Sequence, residues 1–249
     1  VVFAAWLLAA SNEVNGPPGQ AMSFILVVLI AAVLAMQPDF GQATLILFTW
    51  GAMYFAAGAP LVLLCSMAGA TVVAGVIAYN RSEHFARRID GFMTSDVDPN
   101  TQLGYAANAI REGGLLGVGA GEGQVKWQLP DAHTDFIIAV AAEEYGVVMV
   151  LIILGLFAVI SLRSLSRLMD EQDMFVRLAG TGLVTVFAAQ AMINMGVAVR
   201  LLPAKGMTLP FVSYGGSSLI AGGIALGMIL AFTRHRPQTK ITPLMRTKS

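Results

Sequence analysis

Charge is scarce in this chain. Of its 249 residues, 15 are basic and 15 acidic, 12% together, where a soluble domain carries about a quarter. The net charge is zero, so no overall positive field argues for a nucleic-acid partner. Cysteine occurs once, as Cys65 in an apolar run, which leaves no disulfide and no cysteine-based metal site. No other histidine, cysteine and carboxylate set has metal-ligand spacing. Internal repeats, low-complexity tracts and a cleavable signal pattern are also missing. A starting methionine is lacking too, and the apolar opening at Val1 is expected to be the end of a truncated helix in a chain missing its beginning.

What is abundant is apolar sequence: 56% of residues are hydrophobic and the mean hydropathy is +0.71. Runs long enough to cross a bilayer, about 20 residues, recur along it. The expected fold is all-α, a multi-pass transmembrane bundle forming one polytopic domain over 1–249. Val1–Ala10 is a partial span. Six spans follow, at Met22–Met36, Ala43–Ala57, Leu61–Tyr79, Asp135–Leu162, Leu178–Val199 and Ser218–Phe232, parted by breakers such as Pro17-Pro18, Pro38-Asp39 and Gly58-Ala59-Pro60. Residues 80–134 are one long polar excursion, and loops of that length are usually functional.

The distribution of charge assigns the sides. Arg234, Arg236, Lys240, Arg246 and Lys248 crowd an acid-free tail, which places the C-terminus in the cytoplasm. Counting back, the Arg163–Arg177 loop is cytoplasmic, and 80–134 and 200–217 face outward. Arg81, Arg87, Arg88, Arg111 and Lys126 stand in the first outward loop, Arg200 and Lys205 in the second. Bases kept outside against the usual bias point to an anionic ligand there.

The richest stretch is LPDAHTDFIIAVAAEEYG at 129–146, where Asp131, His133 and Asp135 precede an apolar run. An ionisable group at membrane depth costs roughly 2.5–3.5 kcal/mol on the lenient scale, so it marks a functional hypothesis. A helix starting near Thr134 puts Asp135 in its first turn, where the dipole favours the anion. Asp135 is then either a helix-start acid or a carboxylate placed to take a proton from a bound hydroxyl. Asp131 and His133 fit the turn that delivers it, with His133 a candidate helper. Glu143 and Glu144, about 12 Å deeper at helical rise, point about 100° apart and read as structural acids between helices rather than a proton relay. On that reading, glutamine at either costs little. Asp39 reads as a helix cap.

Pro203, Gly206, Pro210, Gly215 and Gly216 punctuate LLPAKGMTLPFVSYGGSS into a shaped, non-helical segment. Such backbone is tolerated at membrane level only where protein buries it or it lines a cavity. Amides around Gly215, Gly216 and Ser217 entering a helix can cradle an anion; Lys205 either joins them or snorkels to the interface. Gly113 to Gly123 is glycine-rich, but no strand precedes it and no Gly-Lys-Ser/Thr follows, so it carries little weight as a nucleotide loop.

QPDFGQ at 37–42, the 129–146 stretch, and NMGVAVRLLPAKGMTLPFVSYGGSSL at 194–219 together resemble the SEDS family (shape, elongation, division and sporulation), in that family's order and over most of the chain. LPAKGMTLPF and SYGGSS are closer to its cell-division branch than to its elongation branch. The family has ten membrane helices, so the resemblance implies that about three and part of a fourth are absent here. It also implies a peptidoglycan glycosyltransferase that polymerises lipid II at the outer face of the bacterial cytoplasmic (inner) membrane, for septal wall synthesis. The implied partners are a class B penicillin-binding protein and other division-complex membrane proteins. Asp135 falls on the family's essential aspartate and Lys205 on its loop lysine. Trp127 stands where some members carry an acid. On this reading Asp135 is general base. Lys205, with Arg87, Arg88 or Arg111, steadies the leaving diphosphate, His133, Ser213, Gly215, Gly216 and Ser217 line the substrate, and Glu143, Glu144 and Asn194 are intramembrane polar groups. The transfer inverts the anomeric centre. No cofactor is required by the pattern, although outward carboxylates can hold Mg or Mn with phosphate. A lipid II flippase and a non-catalytic division scaffold are the competing readings.

Overall fold

The computed structural model describes residues 1–11, 16–93, 101–203 and 206–234, and among them it is helical throughout, without strands. The helices are α1 (Val2–Ala10), α2 (Gly19–Met36), α3 (Phe40–Ala56), α4 (Leu61–Arg81), α5 (Glu83–Met93), α6 (Gln102–Gly113), α7 (Ile137–Met169), α8 (Met174–Ala198) and α9 (Gly216–Thr233), with a short 3-10 turn at Val125–Trp127. By length and composition α2, α7, α8 and α9 can cross a membrane. The 17-residue α3 and the 21-residue α4, whose one charge is its terminal Arg81, stand where the other two spans are expected. Residues 235–249, with most of the basic tail, lie outside the described residues, as do 94–100 and 204–205.

Lipid removes the hydrophobic drive for helices to associate, so close approach of small residues takes its place. Here α8 is the hub, packed against α1, α3, α7 and α9. A methyl group on Gly180 would overlap Leu168 of α7, and one on Gly182 would overlap Met53 of α3. Large apolar side chains instead face outward on α2, α4, α7 and α9, including Leu29, Val73, Leu151 and Ile220, as lipid-facing surfaces require. Asp39 caps α3, its carboxylate accepting from the Gln42 amide at 3.1 Å.

Three boundaries depart from the sequence expectation. The polar stretch 80–134 contains two helices, α5 and α6, rather than a plain loop. The charged Arg163–Arg177 loop shrinks to four residues, 170–173, because α7 runs on to Met169; Leu168 is buried against α8, which holds that last turn helical. Finally, α7 is not one straight span. Gly146 has φ 76° and ψ 177° inside it, so the helix breaks into a short piece, 137–145, and a membrane-length piece, 147–169.

The break exposes backbone groups that apolar surroundings cannot satisfy, and the glycine-rich segment supplies them. Val147 and Val148 amides donate to the carbonyls of Gly114 and Leu115, at 3.0 and 3.3 Å, while Val118 and Gly119 amides donate to those of Glu143 and Glu144. Side chains cannot fit between the two backbones. A Cβ on Gly113, Gly117 or Gly146 would overlap a carbonyl opposite. The glycines therefore serve backbone-to-backbone docking, and no nucleotide loop is formed. Gly146→Ala combines a left-handed φ with that overlap, so it should destabilise the protein by about 2 kcal/mol or more, read as a lower thermal unfolding temperature in detergent. An unchanged temperature would refute the clasp.

Candidate functional site

At the same end of the bundle as the clasp, the turn before α7 meets the irregular segment before α9. Asp131 has φ 56°, a left-handed conformation that aspartate tolerates, and its carbonyl accepts from the amides of Thr134 and Asp135, both at 3.1 Å. This turn displaces the start of α7 to Ile137, so Asp135 lies just before the helix rather than in its first turn. Its neighbours Ala132 and Phe136 are buried in an apolar cluster with Ala106 and Ala109 of α6 and Val197 of α8. That anchors the turn from below and leaves Asp135 half-buried at the surface of the cluster.

The second segment is held the same way. Met207 and Leu209 are buried, and Leu209 packs with Ile138, Ala191, Met195 and Ala198. Phe211 takes a left-handed φ of 63°, costly for an aromatic residue and of the kind that accumulates at functional sites. The two segments are then stitched together. Ser213 Oγ accepts from the Leu209 amide at 2.8 Å and donates to the Thr134 carbonyl. The Tyr214 amide donates to the His133 carbonyl at 2.8 Å. From α8, the Asn194 side-chain amide donates to the carbonyls of Asp135 and Met207, at 2.9 and 2.6 Å.

The result brings Asp135 against the lysine-bearing segment. A methyl group on Gly206 would sit 3.5 Å from the Asp135 Oδ2; Lys205 itself lies outside the described residues. Helix α9 opens beside them. Its N-cap is Gly215, which has no side chain to cap the first turn, so the amides there remain available to an anion. Gly216 and Ser217 are exposed. His133 is exposed and Ser213 is buried, with the Ser213 hydroxyl engaged in the stitch. Arg111 is exposed in the last turn of α6. Arg87 and Arg88 stand on α5, which packs against α4 and, through Phe85, meets Phe40; it is not among the elements around Asp135. Among the described residues no three histidine, cysteine or acidic side chains gather as a metal site.

Glu143 and Glu144 have different roles. Glu143 is fully buried, and its two carboxylate oxygens accept separately from the Val125 and Lys126 amides, at 2.8 and 3.0 Å. Glu144 pairs with Lys126, whose ammonium also reaches the Gly121 carbonyl at 3.0 Å. Both acids thus bind the 121–126 stretch rather than a neighbouring helix. Because both Glu143 oxygens are used as acceptors, glutamine is not the mild change that sequence suggests: its NH2 must face an N–H. Glu143→Gln should cost about 1–3 kcal/mol and Glu144→Gln less, since the amide keeps an acceptor oxygen for the Lys126 ammonium. Thermal unfolding of the two variants checks the order; equal losses would contradict it.

The family model described as cell cycle protein, FtsW/RodA/SpoVE, matches residues 1–238. The chain is 41% identical over 237 residues to the probable peptidoglycan glycosyltransferase FtsW of Caulobacter vibrioides, covering 95% of this chain and 61% of that one. With the protein of the same name from Geobacter metallireducens it shares 38% over 216 residues, 85% of this chain and 58% of the other. It thus spans about three fifths of the length of these relatives. Among solved structures, one reported as the structural coordination of polymerization and crosslinking by a peptidoglycan synthase complex is similar, with a TM-score of 0.72, 29% identity and coverage of 94% and 67%. The rod shape determining protein RodA of Thermus thermophilus gives a TM-score of 0.56 at 25% identity, with coverage of 94% and 64%.

Proposed function

This chain belongs to the FtsW/RodA/SpoVE family of cell cycle proteins, and from that premise we propose that it polymerises lipid II into glycan strands. The observation that carries the reading is the approach of the Asp135 carboxylate to the Gly206 backbone, which sets an acid against the segment bearing Lys205, on the stretch that leads into an uncapped helix start. Asp135 acts as general base, drawing the proton from the acceptor sugar hydroxyl as its oxygen attacks the anomeric carbon of the donor. The bond to the donor's lipid diphosphate breaks on the opposite face, so the centre inverts. Lys205, the first-turn amides of α9 and Arg111 stabilise the departing diphosphate. Arg87 and Arg88, on α5, serve the more distant parts of the substrate. Any Mg or Mn ion would draw most of its ligands from phosphate and water, with Asp135 the carboxylate at hand.

The flippase reading loses its main support, since Glu143 and Glu144 are tied to 121–126 rather than spaced along a path through the bundle. A class B penicillin-binding protein and other division-complex proteins are the proposed partners. The proposed setting is the septal inner membrane, with the C-terminus cytoplasmic and residues 80–134 outside.

Asp135→Asn should lower polymerisation by about 100-fold or more, with membrane insertion and partner binding intact. Labelled lipid II, the purified protein with its transpeptidase partner, and a gel for glycan strands make the assay. Normal strands from this variant would defeat the mechanism, and no strands from the unmodified protein would defeat the activity. Lys205 tests the donor side. A lysine on diphosphate acts as a point charge, so Lys205→Arg should keep part of the turnover and Lys205→Met should lose most of it. The opposite order would assign Lys205 to packing at the interface.

A further inference from the structure

Asn194 sits in the last full turns of α8 and is 2% exposed. Its NH2 group spends both donors on main-chain carbonyls of two segments that are otherwise far apart in sequence, Asp135 and Met207. Two carbonyl oxygens converging on one group identify that group as the nitrogen, since an oxygen there would face two acceptors. The remaining atom, Oδ1, is buried and has no hydrogen-bond partner among the described residues. A buried unsatisfied acceptor is costly and needs an explanation. A simple packing role gives none, because an apolar residue of similar volume would avoid the cost. The two donors do.

We propose that Asn194 is the positioning residue of the site: its amide sets the spacing between the Asp135 carboxylate and the segment that carries Lys205. Residue 135 is reached through its own carbonyl, so a shift of that bond rotates the peptide from which the carboxylate projects. Met207 lies two residues after Lys205, so the same amide fixes where that segment returns against α8. Ser213 and the Tyr214 amide tie the segments further along, at Thr134 and His133, whereas Asn194 holds the Asp135 carbonyl itself. Asn194 therefore acts without contacting the substrate, through the relative placement of the base and the cation. This inference rests on the glycosyltransferase reading for its catalytic consequence, although its structural part can be tested alone.

Two variants separate positioning from packing. Asn194→Leu keeps the volume and removes both donors; Asn194→Ser keeps one donor on a shorter arm. The first measurement needs no activity: hydrogen–deuterium exchange of the protein in nanodiscs, followed by mass spectrometry. Asn194→Leu should speed exchange about tenfold in peptides spanning 131–137 and 206–214 together, with thermal unfolding unchanged. Faster exchange spread over all of α8, or unchanged exchange in both peptides, would overturn the proposal. The second is polymerisation, with lipid II binding measured alongside. Asn194→Leu should lower turnover at least tenfold with lipid II affinity within twofold of the unmodified protein. Asn194→Ser, which keeps a donor, should recover part of that loss. Turnover in Asn194→Ser no higher than in Asn194→Leu, or full turnover in Asn194→Leu, would overturn it. Failure of every form to polymerise, with the exchange result as expected, would reject the glycosyltransferase reading and leave the bridge standing.

Discussion

Backbone polarity at the end of a membrane bundle is the constraint from which the rest follows. The proposed base is presented there on irregular chain, and irregular chain exposes N–H and C=O groups that lipid cannot satisfy. The protein meets this twice. At Gly146 the broken α7 is completed by the carbonyls and amides of 114–119. Before α7 and α9, two turns are completed by each other, by Ser213 and by Asn194. Both arrangements rest on α8, whose small residues let α3 and α7 approach it closely. A rigid hub thus carries a strained, partly open rim, with left-handed backbone at Asp131 and Phe211.

The two acids after Asp135 show how a charge can be structural and still be indispensable to a site. Among the described residues Glu143 pairs with no cation; it completes the 3-10 turn at Val125–Trp127 by receiving two amides. Val125 in turn packs with Phe136, directly beside Asp135. The chain of support therefore runs from a buried carboxylate, through a turn, to the apolar cluster beneath the proposed base. Glycine at 123 belongs to the same set, because a side chain there would press on the Glu143 carboxylate. Charge in this region serves geometry before it serves catalysis.

Much of this was legible in the sequence, and the parts that were not share a cause. The spans could be read because apolar length maps directly onto bilayer thickness. Asp39 as a cap could be read from its place after Pro38. The position of Asp135 could be read from its motif, but its local conformation could not, since the left-handed Asp131 that delays α7 leaves no periodic signal. The kink at Gly146 was hidden for a similar reason: glycine is common in membrane helices, and only the docked segment thirty residues earlier makes this one a break. Helices α5 and α6 were masked by the charges that dominate 80–134. Apart from those two helices, the missing information was a conformation, a local left-handed turn at Asp131 and a long-range backbone pairing at Gly146, rather than a residue type.

Asn194 is the sharpest instance. In sequence it is one amide in an apolar helix, and the general expectation for such a residue is a hydrogen bond to a neighbouring helix, worth about 0.6 kcal/mol on average. That figure describes helix association, whereas here both acceptors belong to loop segments. A loop residue has many backbone conformations to lose, at roughly 1–2 kcal/mol each on ordering, so a side chain that pins two loops to one rigid helix restricts far more than a bond between two helices does. The same reasoning explains why the stitch uses main-chain carbonyls rather than side chains: a carbonyl fixes the direction of the chain itself, and with it the direction in which the Asp135 side chain leaves. What a membrane helix contributes to this site is thus orientation, delivered through hydrogen bonds that would be too weak to matter if they only held helices together.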